Sequence, residues 1–191
     1  MSRKQELLQK ISNLFYNKGY EKTSIRDISQ HLGMTNAGLY HYFKNKQEML
    51  FDIMIYGIED ALVTMRRELP HIKSAEDKIA WIVLAQIKFY SDNRSQTKVL
   101  VHERGAIEAK YAEIIGEKER EYVEFIKQVV GEIIQENSYI SISVEVATFC
   151  LLGMLNWLVH WYNPGGKVSP DELASNITTI FLKGLKGRTD C

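Results

Sequence analysis

The sequence predicts an all-helical protein, with a small three-helix head followed by a larger helical body. Three observations predict it. Apolar residues recur at i, i+3, i+4 and i+7 through nearly every window. Only three prolines occur in 191 residues, so long helices are permitted. No alternating apolar run flanked by hairpin turns is found. A chain of this length buries roughly 70% of its unfolded surface, so its core needs no disulfide or metal. With 45% hydrophobic and 25% charged residues, the composition excludes global disorder, a collagen-like chain and a disulfide mini-protein.

Leu7, Ile11, Leu14 and Phe15 make the stripe of a first helix, which Gly19 stops. Thr23 or Ser24 caps a second, striped by Ile25, Ile28 and Leu32 and ended by Gly33. Thr35 caps a third, over 36–43. Asn45 caps a long fourth helix, with Phe51, Met54, Ile58, Leu62, Met65 and Leu69 on one face and Pro70 just beyond. Ser74 precedes a helix carrying Ile79, Ile82, Val83 and Phe89. A short helix covers 95–104 and breaks at Gly105. Tyr111, Ile115, Tyr122, Ile126, Val129 and Ile133 mark a long helix that ends at Asn137 and Ser138. A very apolar helix covers 142–162. Ser169 as cap and Pro170 at the first position open the last helix, whose buried face is Leu173, Ile177, Ile180, Phe181 and Leu185, with Gly187 at its end. The head occupies 1–46 and the body 47–191.

The apolar run 144–159 stops short of the ~18–20 residues of a membrane span and is interrupted by Glu145, Thr148 and Asn156. No membrane association is expected. A helix apolar nearly all round is covered on two sides. One side faces its own domain. The other faces a second copy of the chain, with the last helix joining a four-helix seam, or else the helix is the central core of a monomer; the homodimer is favoured.

Arg3, Lys4, Gln5 and Glu6 interrupt the start, so no secretory leader follows Met1, and a reducing, cytoplasmic location is expected. The sequons at Asn93 and Asn176 then carry no weight. Cys150 is expected to pack as a small hydrophobe and Cys191 to lie in a loose tail.

The formal charge of zero is a sum of unlike parts. Residues 1–50 hold eight Lys/Arg and four acids, a net +4, and the remainder carries −4. Either a polyanion is the partner of the head or these are solvated charges. Two short helices around a turn at Gly33 suggest a helix-turn-helix. The second carries small Ala37 and Gly38, then Tyr40, His41 and Tyr42. Three consecutive residues cannot share one helix face, so at least one ring points outward, as a major-groove contact requires.

The segment resembles the DNA-binding domain of the TetR/AcrR family of bacterial transcriptional regulators. Gly19-Tyr20, Thr23, Ile28, Leu32-Gly33, Leu39-Tyr40-His41-Tyr42-Phe43 and Lys44-Asn45-Lys46 carry the resemblance. It implies that 35–42 is a recognition helix, with Thr35 at its start and Asn36, Gly38, Tyr40 and His41 facing base edges. Tyr42 and Lys46 would hold phosphates, Thr23 and Ser24 would present side-chain or backbone donors to phosphate, and Arg26 matches a position that in some members reaches a base. Ile25, Ile28, Leu32, Leu39 and Phe43 are read as head core, and Arg3 and Lys4 as a loose tail or a minor-groove arm. The partner implied is a palindromic operator in double-stranded DNA.

The stretch Leu152-Gly153-Met154-Leu155-Asn156-Trp157, His160-Trp161-Tyr162-Asn163-Pro164-Gly165-Gly166 resembles FadR/KstR2-like members of the family, which respond to acyl-CoA thioesters. That likeness implies a repressor released by a small hydrophobic effector, an acyl-CoA in the sharper reading. The alternative is a regulator of an efflux or stress operon sensing an unrelated hydrophobic compound. Candidate pocket residues are Trp81, Phe89, Tyr90, Tyr111, Tyr122, Phe149, Met154 and Trp157, with Arg104 among the cations Arg94, Lys98 and Lys110 for a CoA moiety. Trp157 and Trp161 share a face and stand beside a ligand or in a packed seam. Taken singly, packing is favoured for each, as solvation is for the cations. His102 is read as a structural hydrogen-bonder.

An enzyme is the rival class. The chain has no GxSxG elbow, P-loop, dinucleotide fingerprint or HExxH. Its five His and two Cys have no metal-ligand spacing. No catalytic residue, metal or cofactor is expected.

Overall fold

The computed structural model describes residues 2–136 and 142–186. The expected helix end at Asn137 and Ser138, Gly187 and Cys191 lie outside the described residues. Every regular element among the described residues is a helix: α1 (Arg3–Lys18), α2 (Ile25–Leu32), α3 (Asn36–Tyr40), α4 (Lys46–Glu68), α5 (Ala75–Asp92), α6 (Arg94–His102), α7 (Ala109–Glu136), α8 (Val144–Asn156), α9 (Leu158–Trp161) and α10 (Pro170–Lys186). They form two compact units. The first comprises the chain up to Glu59 together with Asn93–Lys118, and the second comprises Asp60–Asp92 and the chain from Glu119 onward.

The first unit is built on short helices whose ends are chemically fixed. Gly19 closes α1 at φ 86° and Gly33 closes α2 at φ 64°, left-handed backbone that a side chain would strain. Of the two candidate caps for α2, Ser24 is the one used. Its Oγ accepts the Asp27 N–H, while the Asp27 carboxylate accepts the Ser24 N–H at 2.8 Å, a reciprocal capping box. Asn45 Oδ1 accepts the Glu48 N–H at 2.8 Å and starts α4. Leu7, Ile11, Phe15, Ile28, Leu39, Phe43, Met49 and Leu50 form the core, joined by Val99 and Ile115 from far along the chain. Arg3 and Lys4 are neither tail nor arm. Both lie in α1, with Lys4 Nζ 2.6 Å from Asp52 and Arg3 paired to Glu6.

In the second unit α5 packs against α10 and α8. Ile79, Ile82, Val83 and Ile87 meet a core that includes Leu151, Leu155, Ile177 and Phe181. The expected single helix over 142–162 is two. It breaks at Trp157, whose N–H is shared between Gly153 O and Leu155 O, and the chain restarts as α9. The window Val144–Trp161 passes for a membrane span by length and composition, contrary to expectation. The regular part, α8, is about 20 Å long at 1.5 Å per residue, short of the ~30 Å hydrocarbon layer. The face of α8 bearing Ala147, Thr148, Leu151 and Leu152 is buried, whereas Val146, Phe149 and Cys150 stand exposed. Cys150 is thus not packed within the chain. Ile180 is also exposed, at 62%, because it lies beside the i, i+4 stripe of Leu173, Ile177, Phe181 and Leu185.

The Asn163-Pro164-Gly165-Gly166 segment is a tight turn in which the Gly166 N–H donates to Asn163 O at 2.9 Å. A Cβ on Gly166 would sit 3.0 Å from that same oxygen, so a side chain there would crowd the turn's backbone. Tyr162 is buried and donates to Val168 O. Packing alone accounts for this part of the motif.

Removing the α2 cap tests the account of the first unit. Ser24→Ala should destabilise the protein by about 1 kcal/mol, lowering the thermal midpoint by about 2–4 °C in a circular-dichroism melt. An unchanged midpoint would mean that Asp27 and its partner Lys18 hold the helix start without the serine.

Candidate nucleic-acid interface

The surface of the first unit that can meet a nucleic acid is organised by α3. This helix has five residues and is fixed at both ends. Thr35 Oγ1 accepts the Gly38 N–H at 3.1 Å, and Leu39 is completely buried. The regular helix ends at Tyr40 rather than Phe43, because the Tyr42 N–H turns back to Leu39 O and Phe43 is drawn into the core. With Leu39 facing inward, Asn36, Ala37, Tyr40 and His41 face outward. Tyr40 is 50% exposed. Tyr42 is half-buried, its ring edge-on to His41 at 5.3 Å. A Cβ on Gly38 would meet only Thr35 Oγ1 at 3.4 Å and Met34 Cε at 3.6 Å, ordinary contacts. The fold itself therefore does not demand glycine at 38.

At the start of α2, Thr23 is buried and its hydroxyl donates to Gly19 O at 2.7 Å. The Ser24 hydroxyl donates to Asp27 at 2.6 Å. The Lys18 ammonium, 2.8 Å away, and then Ser24 hold the Asp27 carboxyl well below the usual carboxylate range. Both hydroxyls are engaged inside the head. The donors that project from this helix end are the first-turn amides of Ile25 and Arg26, which precede the first intrahelical bond, Ile28 N–H to Ser24 O. The Arg26 side chain is exposed.

Lys46 opens α4, half-buried, with Nζ 3.9 Å from the centre of the Tyr20 ring. Burial lowers its pKa, opposed by the carboxylates of Glu21 and Glu103. Tyr20 is itself buried, and its phenol is pushed up to about 12, first by that burial and then by Glu21. Sequence reasoning missed Glu103 and Gln47. Gln47 Nε2 donates to Ala106 O at 2.8 Å, and its Oε1 accepts the Glu108 N–H at 3.1 Å. Partners about sixty residues apart leave no local signal.

The candidate pocket residues are divided between the two units. Arg104 and Tyr111 belong to the first unit, where Tyr111 stacks on Phe51 at 4.6 Å. The others belong to the second. Tyr90 is buried and donates to Tyr162 O at 3.3 Å. Tyr122 donates to Gln86 Oε1 at 2.5 Å, and burial pushes its phenol far up. Trp81, Phe89 and Met154 are half-buried. Phe149 and Trp157 are exposed, at 56% and 63%, beside Trp161 at 56%. Of the cations, Lys98 is bound to the Tyr16 hydroxyl and Lys110 to Glu108. His102 is exposed. The second unit also has an open cleft of about 250 Å³, floored by Met65, Leu69, Phe125 and Val129 and rimmed by Arg66 and Lys78, each paired to an acid. The sequence pattern marks Met65, Leu69 and Val129 as helix stripe residues, but nothing in it marks a cleft between them.

Comparison with known proteins places this geometry. Residues 7–53 match the family of bacterial regulatory proteins of the tetR type, and residues 73–185 match the tetracyclin repressor-like C-terminal domain. The chain is 30% identical over 189 residues to the HTH-type transcriptional repressor KstR2 of Rhodococcus jostii RHA1, covering 96% of this chain and 91% of that one. Among solved structures, the ketosteroid transcriptional regulator KstR2 of Mycobacterium tuberculosis has a TM-score of 0.87 at 20% identity, over 98% of this chain and 96% of that one. AibR in complex with isovaleryl coenzyme A and operator DNA has a TM-score of 0.79 at 24% identity, over 94% and 97%. The two structures share the all-helical fold. The expected resemblances of the head and of the C-terminal half both stand, as does the expectation that the protein is not an enzyme. The chain belongs to the TetR family of bacterial transcriptional regulators.

Proposed function

We propose that this regulator is a cytoplasmic homodimeric repressor that reads a palindromic operator and is released by a small hydrophobic effector. The observation that carries the DNA-reading half is the outward face of α3. Asn36, Tyr40 and His41 stand exposed on a helix pinned by the buried Leu39, with Gly38 small for no internal reason. Set in a major groove, Asn36, Gly38, Tyr40 and His41 face base edges. Arg26 reaches from α2, Thr35 fixes the approach, and Tyr42 and Lys46 hold phosphates on the flank. At Thr23 and Ser24 the phosphate contact is made by backbone around the α2 start, since both hydroxyls are engaged. The DNA-reading residues fall within 1–46, and effector binding and dimerisation belong to 47–191. Two heads occupy half-sites about one turn (~34–36 Å) or a multiple apart.

The exposed apolar face of α8, with Val146, Phe149 and Trp157, and Ile180 on α10 support a dimer seam built from these two helices. An acyl-CoA thioester is the effector class we favour. The likeness to the KstR2 repressor over nearly the whole chain supports it, and a protein of this fold, AibR, holds isovaleryl coenzyme A together with operator DNA. For the acyl part we favour Trp81, Phe89, Tyr90, Tyr122 and Met154, all of the second unit. An effector acts by favouring one conformation of the dimer over the one that fits the operator.

Three measurements test this reading. Against a duplex that the wild-type chain selects from a random pool, Lys46→Ala should reduce the slope of log affinity on log salt by about one, and an unchanged slope would remove its phosphate role. In sedimentation, Phe149→Glu should shift the protein towards monomer, whereas an unaltered dimer would place the seam elsewhere. In a melt against a panel of acyl-CoAs, free acids and unrelated hydrophobic compounds, one thioester class at about 100 times its dissociation constant should add roughly 2.7 kcal/mol. A shift with an unrelated compound alone would discard the acyl-CoA assignment and favour a sensor of another hydrophobic class.

A further inference from the structure

Lys46 is held from two directions, and both lead to one segment distant in sequence. At its tip, the ammonium lies 3.9 Å from the centre of the Tyr20 ring, and the Tyr20 backbone N–H donates to Glu103 Oε1 at 3.1 Å. At its base, its neighbour in the first turn of α4 is Gln47. Gln47 Nε2 donates to Ala106 O at 2.8 Å, and its Oε1 accepts the Glu108 N–H at 3.1 Å. Ala106 and Ile107 pack on the head core. Residues 103–108 therefore set both the ring on which the lysine rests and the helical turn from which it springs. All these groups belong to the first compact unit.

We propose that Gln47 is a positioning residue for DNA binding, whose two-point bond to 103–108 closes a ring of contacts that fixes where the Lys46 ammonium is presented to a phosphate. The two-point form matters. A single hydrogen bond lets a segment pivot about it. A donor and an acceptor on one planar amide, engaged with groups two residues apart, define the register and the orientation of that segment against α4. The apolar contacts nearby, Tyr111 on Phe51 at 4.6 Å and Ile107 on the core, hold the segment close but are not directional. Without the amide, 103–108 and the Tyr20 backbone bonded to it lose their fixed place relative to the first turn of α4. Gln47 thus acts through Lys46, and the inference rests on the phosphate contact proposed for that lysine.

Gln47→Met keeps the length and helix preference of the side chain and removes both bonds. In the full-length protein, with the selected duplex as probe, it should weaken binding by about two- to fivefold, the size of a partly exposed ion pair. The salt slope should fall by up to about one. A phosphate contact carries no sequence information, so the same loss should appear on a duplex of scrambled sequence. In the Lys46→Ala background the substitution should cost nothing further. A loss that persists in that background, or is confined to the selected duplex, would make the amide a general support of the head and overturn the proposal, as would unchanged affinity and slope. A second pair of variants tests the other arm without touching α4. Glu103→Ala and Glu103→Gln remove the same charge and differ in the oxygen left to accept the Tyr20 N–H. The slope should therefore fall further with alanine, and equal slopes would break the ring at Tyr20 and overturn it. Lys46→Ala with an unchanged slope is a separate result, the failure of the phosphate contact itself.

Discussion

The candidate DNA-facing surface depends on one buried side chain. A helix of five residues is far below the length at which helices sustain themselves in water, and α3 persists because Leu39 is fully enclosed by the core of the first unit. That single anchor decides the rest of its geometry. With Leu39 inward, residues on the opposite arc, Asn36, Tyr40 and His41, project outward, and the Thr35 cap sets where the arc begins. Phe43, buried four residues later, ends the helix by drawing the chain back inside, so Tyr42 lies half-covered between the outward and inward sets. The exposed tyrosine and histidine are thus held by packing beneath them rather than by contacts of their own.

Much of this was legible because the relevant signals are short-range. A cap lies within three residues of its helix, a stripe repeats within two turns, and a left-handed glycine acts at its own position. Ser24, Thr35, Asn45, Ser169, Gly19 and Gly33 all perform as their residue types predict. What failed depended on partners distant in sequence. Hydropathy says that Ile180 and Phe149 are apolar, but not that the chain leaves them uncovered. The break at Trp157 has no proline or positive-φ residue to announce it and comes from a tightened turn in an otherwise regular apolar run. Gln47 reads as one more helix-forming residue until Ala106 and Glu108 are brought against it.

The same distinction applies to charge. A net +4 over the first fifty residues suggests a cationic surface, yet the cations are not equivalent. Lys18 is committed to Asp27, Arg3 to Glu6 and Lys4 to Asp52, and Lys46 lies on Tyr20. Each partner reduces what its cation contributes to an approaching polyanion, because a phosphate must compete with a group already in place. Exposed pairs such as Arg3–Glu6 exchange at little cost, since water and salt screen them. Lys46 differs because it is half-buried and held on a ring face, with the acids that act on it fixed by the turn after α1 and by the end of α6. Its release from that ring is consequently coupled to the placement of protein segments, whereas the release of a surface lysine is coupled only to the salt around it.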